Sequence, residues 1–561
     1  MTIFKLLKMK RIYILLLFSL LVSAHIIHGQ TRIRERVYVA TDREVYVAGD
    51  AVWLSTFCVD ASTGHLSTFS KTAYVEVHSA SGMVQTAKIA LDGGRGGGRL
   101  MLPNTIPTGN YRLIAYTALG ASEDGFDATL GARTLSVFNT ISNERIEGGV
   151  EVVQEIPAAV VLPHSGDLDV KAEPGRITVS NNGSEPVSFS LTVRHNDGIP
   201  APQGTRIADF VGALRTMPAA HGFNPEVIPE YEGEIIRARV TGTDADGIHA
   251  LQDKFAFISS PGDGSNVYVS SIDENGFVTF FTSNIYGEQE MFLEIEGTDR
   301  DNICHLELIS PFLHLDAGSI PPLALSRDYG KALELRGLGM QLERAFNSDT
   351  LYSAIPIKYY TTFDIQSRKS YILDDYTRFP VMEELFIEFI PEIRTRQTGG
   401  HREIQVLATD SRGDYRFSRG AALVLLDGVP VLDHEKILSY DPLLVKSIDI
   451  YPDSYFVGIR GFSGIVNFVT YKGTLPSMAF EDNVRIVDFQ GTSYPLAYTC
   501  EGVDKDYPDY RQTLLWHPLL SLGPGESMDI DCKMPVYSGR FEALAEGLTA
   551  SGGPVSASST F

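Results

Sequence analysis

The chain has 561 residues, 43% of them apolar, and a formal net charge of −23. That length exceeds what one hydrophobic core organises, and that acidity excludes the electrostatic footprint of a nucleic-acid-binding protein. Its 25 Tyr, 29 Phe and 51 Gly fit many short strands and tight turns, and so predict a mainly β protein of tandem sandwiches.

Lys5, Lys8, Lys10 and Arg11 precede an apolar run from Ile12 to Ile27, with Ser23 and Ala24 near its end. This is the pattern of a secretory signal peptide over residues 1–30, with Met9 as an alternative start. The run is shorter than the ~20 residues of a spanning helix. No second run of that kind follows, so membrane association is predicted to be peripheral at most. No cysteine closes the run, and a released, exported chain is expected, periplasmic or associated with the outer membrane. Losing the four basic residues of this segment makes the remainder more acidic still. Cys58, Cys304, Cys500 and Cys532 fit no CxxC pattern; buried thiols and a Cys500–Cys532 bridge both remain open.

From 31 to 145 the pattern is strand and turn: Val37-Tyr38-Val39, Val45-Tyr46-Val47, Val52-Trp53-Leu54, Ala73 to Val77 and Tyr111 to Tyr116. Alternating apolar positions separated by turn signals at roughly 10-residue spacing predict a β-sandwich. Asp92-Gly93-Gly94 and Gly96-Gly97-Gly98 are read as positive-φ turns. Thr41-Asp42-Arg43, Tyr46, Gly49-Asp50, Val52-Trp53 and Pro107 to Tyr111 resemble the MG2 module of alpha-2-macroglobulin-type proteins, which implies an immunoglobulin-like macroglobulin sandwich.

A second sandwich is predicted over 146–226, with Arg176–Val179 and Val187–Val193 paired around Asn181-Asn182-Gly183. A third is predicted over 227–300, where Ile235–Val240 and Phe277–Phe281 resemble strands of carboxypeptidase-regulatory-like sandwiches. Asp273 to Gly276 and Asp244 to Gly247 lack the full acidic spacing of a calcium loop and are read as turns. Residues 301–370 form a connector, with a helix predicted from Asp328 to Phe346.

Between 371 and 475 the character changes to α+β. Met382–Phe389 reads as a short amphipathic helix stopped at Pro391, and Leu423–Leu426 as a buried strand ending in Asp427-Gly428-Val429-Pro430. Asp441 to Leu444 follows, then the strand Val445–Tyr451, then Gly458 to Gly464 leading into Ile465–Thr470. This succession resembles the plug domain of TonB-dependent receptors, in which an "LDG-x-P" turn, an "I-x-S-I-E" strand and a glycine-rich hairpin recur. The resemblance implies contact with an envelope or outer-membrane protein. Asp427, Gly428, Val429, Pro430, Gly458, Gly461, Phe462 and Gly464 are the candidate interaction residues. A receptor barrel of about 22 strands needs several hundred residues. Residues 474–561 are far fewer, so the chain is not expected to be the transporter, and a last macroglobulin-like sandwich is predicted over 476–561.

No catalytic, metal or cofactor residues are predicted. The thioester of protease-trapping macroglobulins needs Cys-Gly-Glu-Gln, where this chain has Tyr286-Gly287-Glu288-Gln289. Ser463 sits in no nucleophile elbow, and the 13 histidines form no HExxH motif. Two functions follow as expectations. One is a non-catalytic envelope binding or scaffold protein; the alternative is a thioester-free protease-binding macroglobulin relative.

Overall fold

The structure, a computed structural model, describes residues 33–154, 164–262, 266–283, 285–297, 304–346, 352–356, 368–409, 415–417, 420–480, 482–498 and 508–561. The signal segment 1–30 and Cys500, and with it the bridge to Cys532, lie outside the described residues. The fold is mainly β, 48% strand against 12% helix, in many small sheets.

The first unit packs a three-stranded sheet (Glu35–Thr41, Ala51–Asp60, Arg95–Met101) against a five-stranded one (Val45–Val47, Arg133–Phe138, Gly109–Tyr116, Thr72–Ser79, Gly82–Ala90). Side chains alternate across a strand, so Ala73, Val75 and Val77 enter the core with Tyr111, Leu113 and Ala115. Each fully buried Val or Leu contributes about 1.5–3 kcal/mol. The opposite face of the same strands carries Tyr74, Glu76, His78 and Tyr116, which are also buried because later parts of the chain cover them. Gly96-Gly97-Gly98 departs from its predicted role. Gly93 and Gly94 make the turn, at φ +58° and +78°, whereas the three glycines run inside the strand Arg95–Met101. A Cβ on Gly97 would lie 2.7 Å from Pro518, so the glycine allows another unit to approach the sheet.

The second sandwich is assembled from two distant stretches of chain. Leu168–Glu173 and Arg176–Asn181 form a sheet with Ser527–Asp531. Val187–Asn196 lies between Thr513–Leu522 and Arg540–Thr549 in the facing sheet, which Pro554–Thr560 extends. The predicted modules 146–226 and 476–561 are therefore corrected to one split sandwich with one core, in which Phe189, Leu191, Leu515 and Phe541 meet. The strands flanking Asn181-Asn182-Gly183 fall in opposite sheets instead of pairing: Arg176–Asn181 pairs with Leu168–Glu173 and Ser527–Asp531, and Val187–Asn196 with Thr513–Leu522 and Arg540–Thr549. The terminal Phe561 exchanges both backbone hydrogen bonds with Phe541 at 3.0 Å.

Inserted within the split sandwich is a third. Ile235–Thr241, Phe277–Phe281 and His305–Ile309 form one sheet; Phe255–Ser260, Asn266–Ser271 and Glu288–Ile295 form the other, joined by Arg485–Gln490 from beyond the α+β segment. Asp273 accepts from the amides of Asn275 and Phe277, as a turn residue does, while Asp244 caps the short helix Ala245–Leu251 in place of the predicted turn. Nested inside this third sandwich lies the α+β unit. The sheet order there is Lys369–Ile372, Val445–Val457, Arg460–Thr470, Leu423–Leu426, Val429–Pro430, packed on the helix Met382–Phe389.

The helix Gly330–Ala345 packs where the first and split sandwiches meet, its Arg336 reaching Asp197 at 2.6 Å and the Val45 carbonyl at 2.7 Å. Glu44 is buried at the same joint. Its oxygens accept from Arg206 at 2.8 Å and Arg194 at 2.6 Å, and Arg133 stands 3.8 Å away while bonding Glu546 at 2.6 Å. Burial alone would raise the Glu44 carboxyl, but the guanidinium groups of Arg194, Arg206 and Arg133 reverse this and hold it far below its ordinary value.

Candidate functional site

The turn Asp427–Pro430 joins two short antiparallel strands through two left-handed residues, Asp427 at φ +48° and Gly428 at φ +85°, the geometry that an Asp-Gly pair adopts most readily. The Asp427 carboxylate accepts from the Thr470 amide at 2.6 Å, the Thr470 hydroxyl at 2.7 Å and the Leu475 amide at 2.8 Å. Gly262 of the third sandwich donates its amide to the Asp427 carbonyl at 2.8 Å, and a Cβ on Gly428 would lie 2.8 Å from the Gly262 carbonyl. All four residues of the turn are buried. The structure thus makes Asp427, Gly428, Val429 and Pro430 a joint between two units of one chain, and their polar groups are satisfied internally.

The second candidate segment is different. Val445–Val457 and Arg460–Thr470 form a hairpin of 13 and 11 residues, far longer than their neighbours. Leu423–Leu426 and Lys369–Ile372 pair only with its base, at 465–468 and 447–450. The distal half extends past the sheet, after a register break between Tyr451 and Ser454. One face is seated on the third sandwich, where Val457 joins a core with Phe257 and Val269, and Tyr455 and Phe462 pack on it. Gly458 has φ +58° and lies so near the strand Asn266–Ser271 that a Cβ would stand 2.2 Å from the Val269 carbonyl. Arg460 fixes the tip through Glu296 at 2.8 Å and lies 4.8 Å over the Phe255 ring. Gly464 is likewise structural, since a Cβ there would lie 2.7 Å from Val406.

Strand alternation sends the next residues the other way. Phe456 is 77% exposed and Ile459 62% exposed, while Gly461, opposite Phe456 in the ladder, lies close beside the Phe456 ring. Of the eight predicted residues, Gly458 and Gly461 are exposed, Phe462 is half-buried under the hairpin, the other five are buried, and the exposed apolar pair was not among them. The signal that could have found the pair is the alternation Tyr455-Phe456-Val457 beside Gly458-Ile459: if one of its faces is seated, Phe456 points outward. Ser463 pairs with Ser454 inside the same hairpin. No group of three or more His, Cys, Asp or Glu side chains among the described residues is placed to hold a metal ion, and no described helix is long and apolar enough to cross a membrane.

No family model matches the chain, and no curated protein matches it. Among solved structures, Escherichia coli alpha-2-macroglobulin activated by porcine elastase is similar at 8% identity, over 94% of this chain and 43% of that one, with a TM-score of 0.23. The trypsin-activated form of the Escherichia coli protein is similar at 9% identity, over 95% and 42%, also at 0.23. The Yersinia pseudotuberculosis adhesin InvE is similar at 12% identity, over 50% and 61%, at 0.15. The chain spans less than half the length of the two macroglobulins, and at these scores the likeness does not extend to function.

Proposed function

We propose that the chain is an exported, non-catalytic binding or scaffold protein of the bacterial envelope, and that its α+β unit engages an outer-membrane transport or assembly protein. The observation that supports this is the hairpin tip. Phe456 and Ile459 are held in solvent by a strand pair whose other face is locked to a sandwich, so an apolar anchor is presented on a rigid element. The order of motifs from Leu426 to Thr470, which resembles a receptor plug, supports an envelope partner over a soluble one. The sandwiches serve as spacers.

The test is a photoreactive phenylalanine analogue placed at position 456 in the producing bacterium. Adducts with outer-membrane barrel proteins, lost when Ile459→Asp is added, are the expected result. Adducts with proteases, or turnover of a substrate by the purified chain, would overturn the proposal.

A further inference from the structure

Between the first and third sandwiches lies a cavity of about 620 Å³, apart from the hairpin. Its floor is the outward face of the first sandwich, where the stacked rings of Tyr74 and Tyr116 stand 5.8 Å apart. One wall is the segment that brings Glu230 beneath the third sandwich. Glu230 is 3% exposed. Its Oε1 accepts from the Tyr74 hydroxyl at 2.6 Å and the Ile235 amide at 2.9 Å, whereas its Oε2 has no hydrogen-bond partner among the described residues. A buried carboxylate oxygen left without a donor costs roughly 1–3 kcal/mol or more, so something is missing at that atom.

The neighbouring carboxylate indicates what is missing. Glu234, four residues on and as deeply buried, receives the ammonium of Lys88 on Oε1 at 2.5 Å, though its Oε2 too has no hydrogen-bond partner among the described residues. Among the described residues no cation forms an ion pair with Glu230, which feels Lys88 only from farther off. The rim has the same sign: Asp124 and Glu226 are exposed there and Arg237 is the cation among them, while Glu123 is already neutralised by Arg34 and Arg36. Ile228, Ile309 and Leu313 give the approach an apolar lining. A carboxylate at the end of an apolar channel floored by tyrosine faces suits a positive nitrogen on a hydrocarbon stem.

We propose that this cavity is a binding site for an alkylammonium group, either the end of a lysine side chain or a free primary amine, with its nitrogen on Glu230 Oε2 and its stem along Ile228 and Ile309. Without a ligand, burial pushes the Glu230 carboxyl up to about 7; the Ile235 amide, the Tyr74 hydroxyl and Lys88 pull it down, and Glu234 pushes it further up. Besides Tyr74, Glu123, Asp124 and Glu226, the titratable groups on the cavity wall are Arg237 and Tyr116. Below pH 7 the amine must displace a proton, and above it the site is ready.

The test is calorimetric titration of the full chain with n-hexylamine, and in a parallel arm with an end-blocked pentapeptide of alanines around one lysine. Binding at least tenfold tighter at pH 8 than at pH 5.5, with proton release near pH 6.5, is expected for at least one probe, and the tighter probe identifies the source. Glu230→Gln, which keeps an oxygen for Tyr74 and Ile235, should abolish binding. Glu226→Gln on the rim should weaken it less than threefold. Equal binding of n-hexanol, an affinity indifferent to pH, or no binding by either probe would overturn the site, and the pH series decides the matter on the natural chain even if Glu230→Gln does not fold.

Discussion

Two buried glutamates border the first sandwich, and their surroundings drive them in opposite directions. Glu44, at the joint with the split sandwich, is ringed by Arg133, Arg194 and Arg206 and stays ionised. Glu230, at the joint with the third sandwich, is buried to a similar depth with one carboxylate oxygen unpartnered, and is half-protonated at about pH 7. Depth is common to both, so the number of cations within reach decides the charge state. One joint is a completed ion cluster and the other is incomplete in this chain.

The strongest way to break the contrast is Glu44→Ala, which strands the guanidinium of Arg206 and removes a shared partner from Arg194. A loss of about 3–5 kcal/mol in urea unfolding at pH 7 is expected. The contribution of Glu44 should be complete above its ordinary value of 4.5 and lost as pH falls below it, because its folded carboxyl is the stronger acid. Glu230 has the opposite sign. Its folded carboxyl is the weaker acid, so stability is greatest below 4.5 and declines as pH rises through 7. Glu230→Gln should therefore gain about 3 kcal/mol at pH 8 and nothing at pH 4, and an unchanged pH profile of urea midpoints would erase the distinction. The smallest effect sharpens the account: Arg206→Ala removes one of the two arginines that donate to Glu44 and should cost about 1–2 kcal/mol, with the acid limb of the stability curve moving to higher pH.

What the sequence made legible follows from physics that acts locally. Alternation placed the strands around Ala73–Val77 and Tyr111–Tyr116, and amphipathic spacing ended by Pro391 marked the helix Met382–Phe389. Partnership between strands is not local. Nothing in Val187–Asn196 specifies that its neighbours lie beyond residue 512, so one sandwich was read as two. Covering of an outward face is equally silent: Glu76 and His78 have the polar alternation of a solvent-facing row yet are buried under residues 310–315 and the third sandwich. The same limit applied at the candidate site. The Asp-Gly turn announced itself by composition and proved to be sealed, whereas the exposed Phe456 and Ile459 could be recognised only once one side of the hairpin was known to be seated.

The nesting of one unit within another imposes a timetable on synthesis. The strand Val187–Asn196 needs both Thr513–Leu522 and Arg540–Thr549 beside it, and the third sandwich and the α+β unit are made in between. At about 5–20 residues per second this interval lasts on the order of half a minute, during which the strand that carries Phe189, Leu191 and Val193 lacks both neighbours of its own sheet. Of the three nested units the innermost is the first whose chain is complete, and the split sandwich that encloses the other two is the last.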